Sequence, residues 1–285
     1  MPETLDPLQH PTPFIEETLS HKALQFSDCA IQSRMDLMDP FALELEYTRT
    51  MMAFLLFVPQ PKHIAMIGLG GGSLAKFCHR HLPKTRIDVV EINPHVIALR
   101  HAFHVPPDDG RFRVIAGDGA HYVRHPAARS DVLLVDGFGS DGLPEALCSQ
   151  RFYDDAHDLL PPDGMMVANL HYGHPQYLAQ LERIRRSFHG SVLAVLDDER
   201  SNTIVFAGKG ACLGRLRPGT ARPPRGLDKA TIRRIRYKSL YPNRAIKTWK
   251  RSANECPGRT TRSATARAVA VVCADIPPPI SLFYG

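Results

Sequence analysis

The chain has 285 residues, 44% of them hydrophobic and 22% charged. This composition excludes a disordered or fibrous protein and suffices for the core of one large domain or two modest ones. Its formal net charge of +6 would by itself point to nucleic acid or another anionic partner. The charge is unevenly placed, however: residues up to Lys209 carry 19 basic and 26 acidic side chains, a balance of −7, and Ala211 to Gly285 carry 16 and 3, a balance of +13. The body is acidic and the basic excess belongs to a tail, so no nucleic-acid function follows from it.

No apolar run approaches the roughly 18 residues of a membrane span, and the first residues lack the basic-then-apolar order of a signal peptide. The expectation is a soluble cytoplasmic protein without a membrane partner. Six cysteines without a CxxC pair predict reduced thiols and no zinc site. His79 and His81 stand two apart, which on a helix points them to different faces, so no metal is expected there.

In chain order, residues 1–60 read as a small N-terminal module. Ala23 to Phe26 and Cys29 to Gln32 are brief strands around Ser27-Asp28, and Phe41 to Phe57 carries helical apolar spacing that ends before Pro59-Gln60-Pro61. Residues 61–210 change to β-rich runs alternating with helical stretches. Strands are predicted at Ile64 to Ile67, Ile87 to Glu91, Phe112 to Ile115, Val132 to Asp136, Met165 to Leu170, Val192 to Leu196 and Thr203 to Ala207. Helices are predicted at Ser73 to His81, Pro94 to Phe103, Arg151 to Leu160 and Pro175 to Phe188. This rhythm is that of an α/β protein with a doubly wound, mostly parallel seven-stranded sheet. The last two strands follow one another without a helix and predict an antiparallel hairpin at one end of the sheet. Residues 211–285 lack core periodicity and read as a poorly ordered basic tail.

The sequence Ile64-Ala65-Met66-Ile67-Gly68-Leu69-Gly70-Gly71-Gly72-Ser73 runs a strand into a glycine cluster and then a helix. Gly68, Gly70, Gly71 and Gly72 would let a ligand approach the backbone at a helix N-terminus. Glu91 ends the next strand, 23 residues beyond Gly68, where an acid commonly accepts ribose hydroxyls. Asp118-Gly119 follows the third strand, where an acid can accept the adenine amino group, and Asp136 ends the fourth, facing the reacting centre. Ser73 in place of a third glycine and the lack of a second mononucleotide half weigh against a dinucleotide.

Ile67-Gly68-Leu69-Gly70-Gly71-Gly72, Val89-Val90-Glu91-Ile92-Asn93, Ala116-Gly117-Asp118-Gly119 and Asp131-Val132-Leu133-Leu134-Val135-Asp136 resemble, as a set, the motifs of spermidine synthases. These polyamine aminopropyltransferases share the Rossmann-like class I methyltransferase fold. Ser149-Gln150-Arg151-Phe152-Tyr153 and Leu159-Leu160-Pro161-Pro162-Asp163-Gly164 are similar to the helix and turn after that family's catalytic strand. Gln32 and Tyr47 resemble its N-terminal glutamine and tyrosine. The resemblance implies a donor nucleoside held by Glu91 and Asp118 and a catalytic Asp136. It implies aminopropyl transfer from decarboxylated S-adenosylmethionine to an amine such as putrescine, and a homo-oligomer, a homodimer or a tetramer; no metal is expected.

Two departures keep alternatives open. The family carries an aspartate where Gly71 stands, and its catalytic segment reads Asp-Ser-Ser/Thr-Asp-Pro where this chain has Asp136-Gly137-Phe138-Gly139-Ser140-Asp141-Gly142. Without a loop acid the carboxylate of intact S-adenosylmethionine would not be repelled, so that donor stays open. Asp141 is a candidate substitute for the second acid at the substrate. The rivals are a methyltransferase, with Asp136 and Asn169 lining the acceptor pocket, and an inactive nucleotide-binding relative. For the tail, a basic arm competes with a stretch that is no selected part of the fold, as after a reading-frame change; its texture favours the second.

Overall fold

A computed structural model describes residues 6–27, 30–138, 143–196 and 201–215. An N-terminal antiparallel sheet comprises β1 (Phe14–Glu17), β2 (His21–Ser27) and β3 (Ala30–Asp36), in the order β1-β2-β3. The helical pattern read over Phe41 to Phe57 is realised in two pieces, α1 (Glu46–Met51) and a 3-10 segment Met52–Leu56. Met51, Met52, Phe54 and Leu55 are buried there, beside Leu24 of β2 and Met35 of β3.

The main sheet contains β4 (His63–Ile67), β5 (Arg86–Glu91), β6 (Phe112–Ala116), β7 (Val132–Val135), β8 (Met165–His171), β9 (Val192–Leu196) and β10 (Asn202–Gly208), ordered β6-β5-β4-β7-β8-β10-β9. Pairings from β6 through β8 are parallel, whereas β10 runs antiparallel to both β8 and β9. The expected hairpin is therefore present, with its second strand on the inside. From β4 the chain winds one way to β5 and β6 and then returns to β7 and β8. The strand order thus reverses between β4 and β7, and a crevice opens beyond their carboxyl ends.

Strand alternation builds the core on both faces. Ile64 and Met66 point into a layer with α2 (Ser73–His81) and the N-terminal sheet, while Ala65 and Ile67 point into a layer with α6 (Gln150–Leu159) and α7 (Tyr177–Ser187). Cys212 and Leu213, beyond Lys209, also pack into the first layer.

Four elements depart from the sequence reading. α3 spans Pro94–Ala98 rather than reaching Phe103. Beyond it the backbone turns, with His104 at φ 56°, so that Phe103 and Val105 are buried. β1, α4 (Gly119–Arg124) and α5 (Glu145–Cys148) are too short for a periodic signal. The His79 and His81 rings do diverge: His79 Nε2 lies 3.0 Å from Asp109 Oδ2, and His81 stacks on Phe77. Among the described residues no helix is long and apolar enough to cross a membrane.

Candidate active site

The crevice is a cavity of about 580 Å³. Its floor is the carboxyl edge of β4, β5, β7 and β8 together with the start of α4, and Gln32, Ser33 and Tyr47 of the N-terminal segments line it from the other side. The charged side chains among the described lining residues are three carboxylates, Glu91, Asp118 and Asp136, with no lysine or arginine. Such a lining favours a cationic ligand.

The loop after β4 is shaped by close approach. Gly68 adopts φ 96°, and a Cβ there would collide with the backbone of Asp136. Only glycine therefore lets β4 and β7 converge so tightly beneath the site. Gly68 and Gly70 line the cavity, and Gly71 and Gly72 stand behind them in the loop. A Cβ on Gly71 would lie 2.6 Å from Ser33 Oγ and 2.9 Å from the Phe103 ring. Gly72, at φ 70°, opens α2 and abuts Val105.

Glu91 is buried at the end of β5. Its Oε2 accepts the Leu69 N–H at 2.8 Å and its Oε1 the Asn93 N–H at 2.8 Å. Burial raises its pKa, while the backbone N–H groups of Asn93, Leu69, Ile92 and Gly70 act in the opposite direction. The carboxylate thus ties the glycine loop to β5 and still presents lone pairs to the cavity. Asp118 is the N-cap of α4, its Oδ1 accepting the His121 N–H at 2.6 Å, and its second oxygen remains available as an acceptor. Gly119 is packed against Ile67.

Asp136 stands at the end of β7. Asn169 on β8, 3% exposed, donates from Nδ2 to Asp136 Oδ1 at 2.9 Å, and Tyr47 of α1 hydrogen-bonds the same carboxylate. Burial raises the Asp136 pKa against the lowering effect of these two bonds. The Tyr47 phenol is pushed well above its ordinary value, first by burial and then by the Asp136 charge. A carboxylate held by two donors in a poorly solvated setting is equipped to take a proton from a cationic group.

Gln32, Tyr47, Gly68, Gly70, Glu91, Asp118, Gly119 and Asp136 therefore line one cavity, whereas Asp141 falls outside the described residues. Sequence reasoning passed over Ser33, which approaches Ser73 Oγ at 3.4 Å, and His10 and Pro11, which also line the cavity. These residues lack motif spacing, and only the folded N-terminal segment brings them to the site. Asn93 belonged to a quoted motif but received no role, although an asparagine before proline at the head of a helical run is a legible N-cap signal.

Comparison with known proteins gives the family. Residues 44–187 match the spermine/spermidine synthase domain. The chain is 40% identical over 194 residues to a polyamine aminopropyltransferase of Chromobacterium violaceum, covering 68% of this chain and 74% of that protein. It is 38% identical over 195 residues to one of Neisseria meningitidis, with the same coverage. A probable spermidine synthase from Corynebacterium glutamicum superposes with a TM-score of 0.60 at 23% identity, over 69% of this chain and 76% of that one, and shares the fold. With the motifs, the sheet order and this degree of similarity together, the chain belongs to the spermine/spermidine synthase family.

Proposed function

We propose that this chain transfers the aminopropyl group of decarboxylated S-adenosylmethionine to an amine such as putrescine, a step of polyamine biosynthesis. The observation that carries the reading is Asp136, held by Tyr47 and Asn169 at the edge of a cavity whose described charged lining is wholly anionic. Glu91 accepts the ribose hydroxyls, Asp118 accepts the adenine amino group, and Gly68, Gly70 and Gly119 let the nucleoside lie against the backbone. Gln32 contributes a neutral amide to the donor's surroundings.

An alkylammonium, with a pKa near 10, has no lone pair for attack. Asp136 takes one of its protons, and Tyr47 helps orient the nitrogen. The lone pair then forms a C–N bond at the carbon bonded to sulfonium, the C–S bond breaks toward sulfur, and methylthioadenosine leaves as a neutral thioether. Positive charge passes from sulfur to the new secondary ammonium. Holding both reactants in line supplies the larger part of the acceleration.

Gly71 keeps the intact donor in view, because its side faces Ser33 and Phe103 and the loop presents no acid to repel a carboxylate. The test is incubation with putrescine and each donor in turn. Spermidine and methylthioadenosine from the decarboxylated donor are the expected products. S-adenosylhomocysteine from the intact donor would replace the reading with methyl transfer, and no product from either over a range of amines would overturn both.

A further inference from the structure

The N-terminal segment ahead of β1 is drawn onto the Glu91 end of the cavity, and two side chains, Asn93 and His95, fasten it. Asn93 is 5% exposed and each of its polar groups is engaged. Its backbone N–H donates to Glu91 Oε1 at 2.8 Å, its Oδ1 accepts the His95 N–H at 2.9 Å, and its Nδ2 donates to the Pro11 carbonyl at 2.8 Å. Four residues upstream, the Pro7 carbonyl lies 3.1 Å from His95 Nε2. The strap is thus held at two points on α3, and two hydrogen bonds through Asn93 connect it to the carboxylate assigned to the ribose. His10 lies between the two anchors. It lines the cavity, is only partly buried, and its imidazole has no hydrogen-bond partner among the described residues.

From this arrangement we infer that the segment 6–13 is part of the donor site and that His10 is a nucleoside-binding residue, an inference that rests on the proposed donor. A nucleoside offers hydroxyl donors and acceptors and an aromatic face, and an imidazole with both ring nitrogens uncommitted can meet either. Because the strap and Glu91 share Asn93, ordering one favours the other, and by linkage the nucleoside tightens the strap as much as the strap tightens the nucleoside.

The test uses the full chain and methylthioadenosine. His10→Ala is expected to raise the Kd for methylthioadenosine about tenfold, the size of one good hydrogen bond, and to raise the donor KM in step. The acceptor KM and the melting temperature should stay unchanged. His10→Gln, which keeps a hydrogen-bonding edge, should recover part of the loss. In the wild-type chain, methylthioadenosine should slow amide hydrogen exchange across residues 6–13. A wild-type chain that binds methylthioadenosine while His10→Ala binds it within twofold, or while strap exchange is unaltered, overturns the inference alone. A wild-type chain that binds no adenine nucleoside overturns it together with the donor assignment.

Discussion

Asn169 Nδ2 donates to Asp136 Oδ1 at 2.9 Å, across adjacent parallel strands in which Val135 is in register with Ala168. The Asn169 Oδ1 is buried with no partner among the described residues. The amide of Asn169 is thus kept in the interior chiefly to fix one oxygen of the carboxylate.

The first prediction concerns pH. Asp136 must be ionised to act as a base, and burial raises its pKa from the ordinary 3.8, so activity falls as pH drops through a value above the normal aspartate range. Asn169→Ala removes a hydrogen bond that favours the ionised form. The acidic limb of the kcat/KM profile should therefore move to higher pH, with kcat at neutral pH down about tenfold. Asp136→Asn should lower kcat by about 10² to 10⁴ while methylthioadenosine still binds. An unmoved limb in Asn169→Ala would show that the bond does not tune the base.

The second concerns Glu91, whose two oxygens each accept a backbone N–H. In Glu91→Gln the amide NH₂ would confront one of those donors. A cost of about 1–3 kcal/mol follows, visible as a lower melting temperature and a donor Kd raised about tenfold or more, with little effect on the acceptor KM. Calorimetric titration and thermal melting check both parts.

The third concerns Gly71. Restoring the family's aspartate by Gly71→Asp should not produce a more selective donor site, because the new Cβ meets Ser33 Oγ and the buried Phe103 ring. A loss of about 1–3 kcal/mol in stability is expected from overpacking. Adding Ser33→Gly should recover part of it. The relative affinities for S-adenosylhomocysteine and its decarboxylated counterpart in the single and double variants measure the outcome.

The fourth lies at the opposite end of the sheet. Asp88, 2% exposed, receives His63 Nε2, Arg86 Nη2 and Arg113 Nε at 3.0 Å each and the Tyr122 hydroxyl at 3.3 Å. Burial alone would raise its pKa, but the bonds from His63 and Arg113 outweigh that and hold it below the ordinary 3.8. A depressed carboxyl stabilises the fold above about pH 4, and that contribution is lost as pH falls further. Asp88→Ala should cost about 2 kcal/mol at neutral pH, roughly 4–8 °C in Tm. It should also flatten the acid limb of the stability profile and leave donor KM unchanged.

Most of the sheet was legible in the sequence because parallel strands buried on both faces read as short, continuous apolar runs, and Ile64 to Ile67, Val132 to Val135 and Met165 to Ala168 do so. Glu91 and Asp136 were legible because each stands at the end of such a strand, and Asp118 because it follows the third strand across one glycine. α4 and α5 were not, since six and four residues are less than two helical turns and too short for an apolar stripe to recur. The occupied space behind Gly71 and the approach of His10 were invisible for a different reason: both depend on the N-terminal segments, whose contacts with the loop after β4 and with α3 span 38 to 88 residues of chain, and no local pattern encodes a contact of that range.

The place of β10 has a consequence for the order of assembly. It is the last strand among the described residues, yet it sits between β8 and β9, pairing Asn202 through Gly208 with His171 through Met165. As the chain is synthesised, β8 leaves the ribosome with one edge open and β9 has no neighbour to join, until residue 208 follows. The half formed by β4 to β6 can pair long before that. The newborn protein thus passes through an interval in which β4 to β6 are paired while β8, beside Asp136, still exposes an unpaired edge between strongly apolar side chains. In that interval the chain depends most on chaperones, or on rapid docking of β10, to escape aggregation.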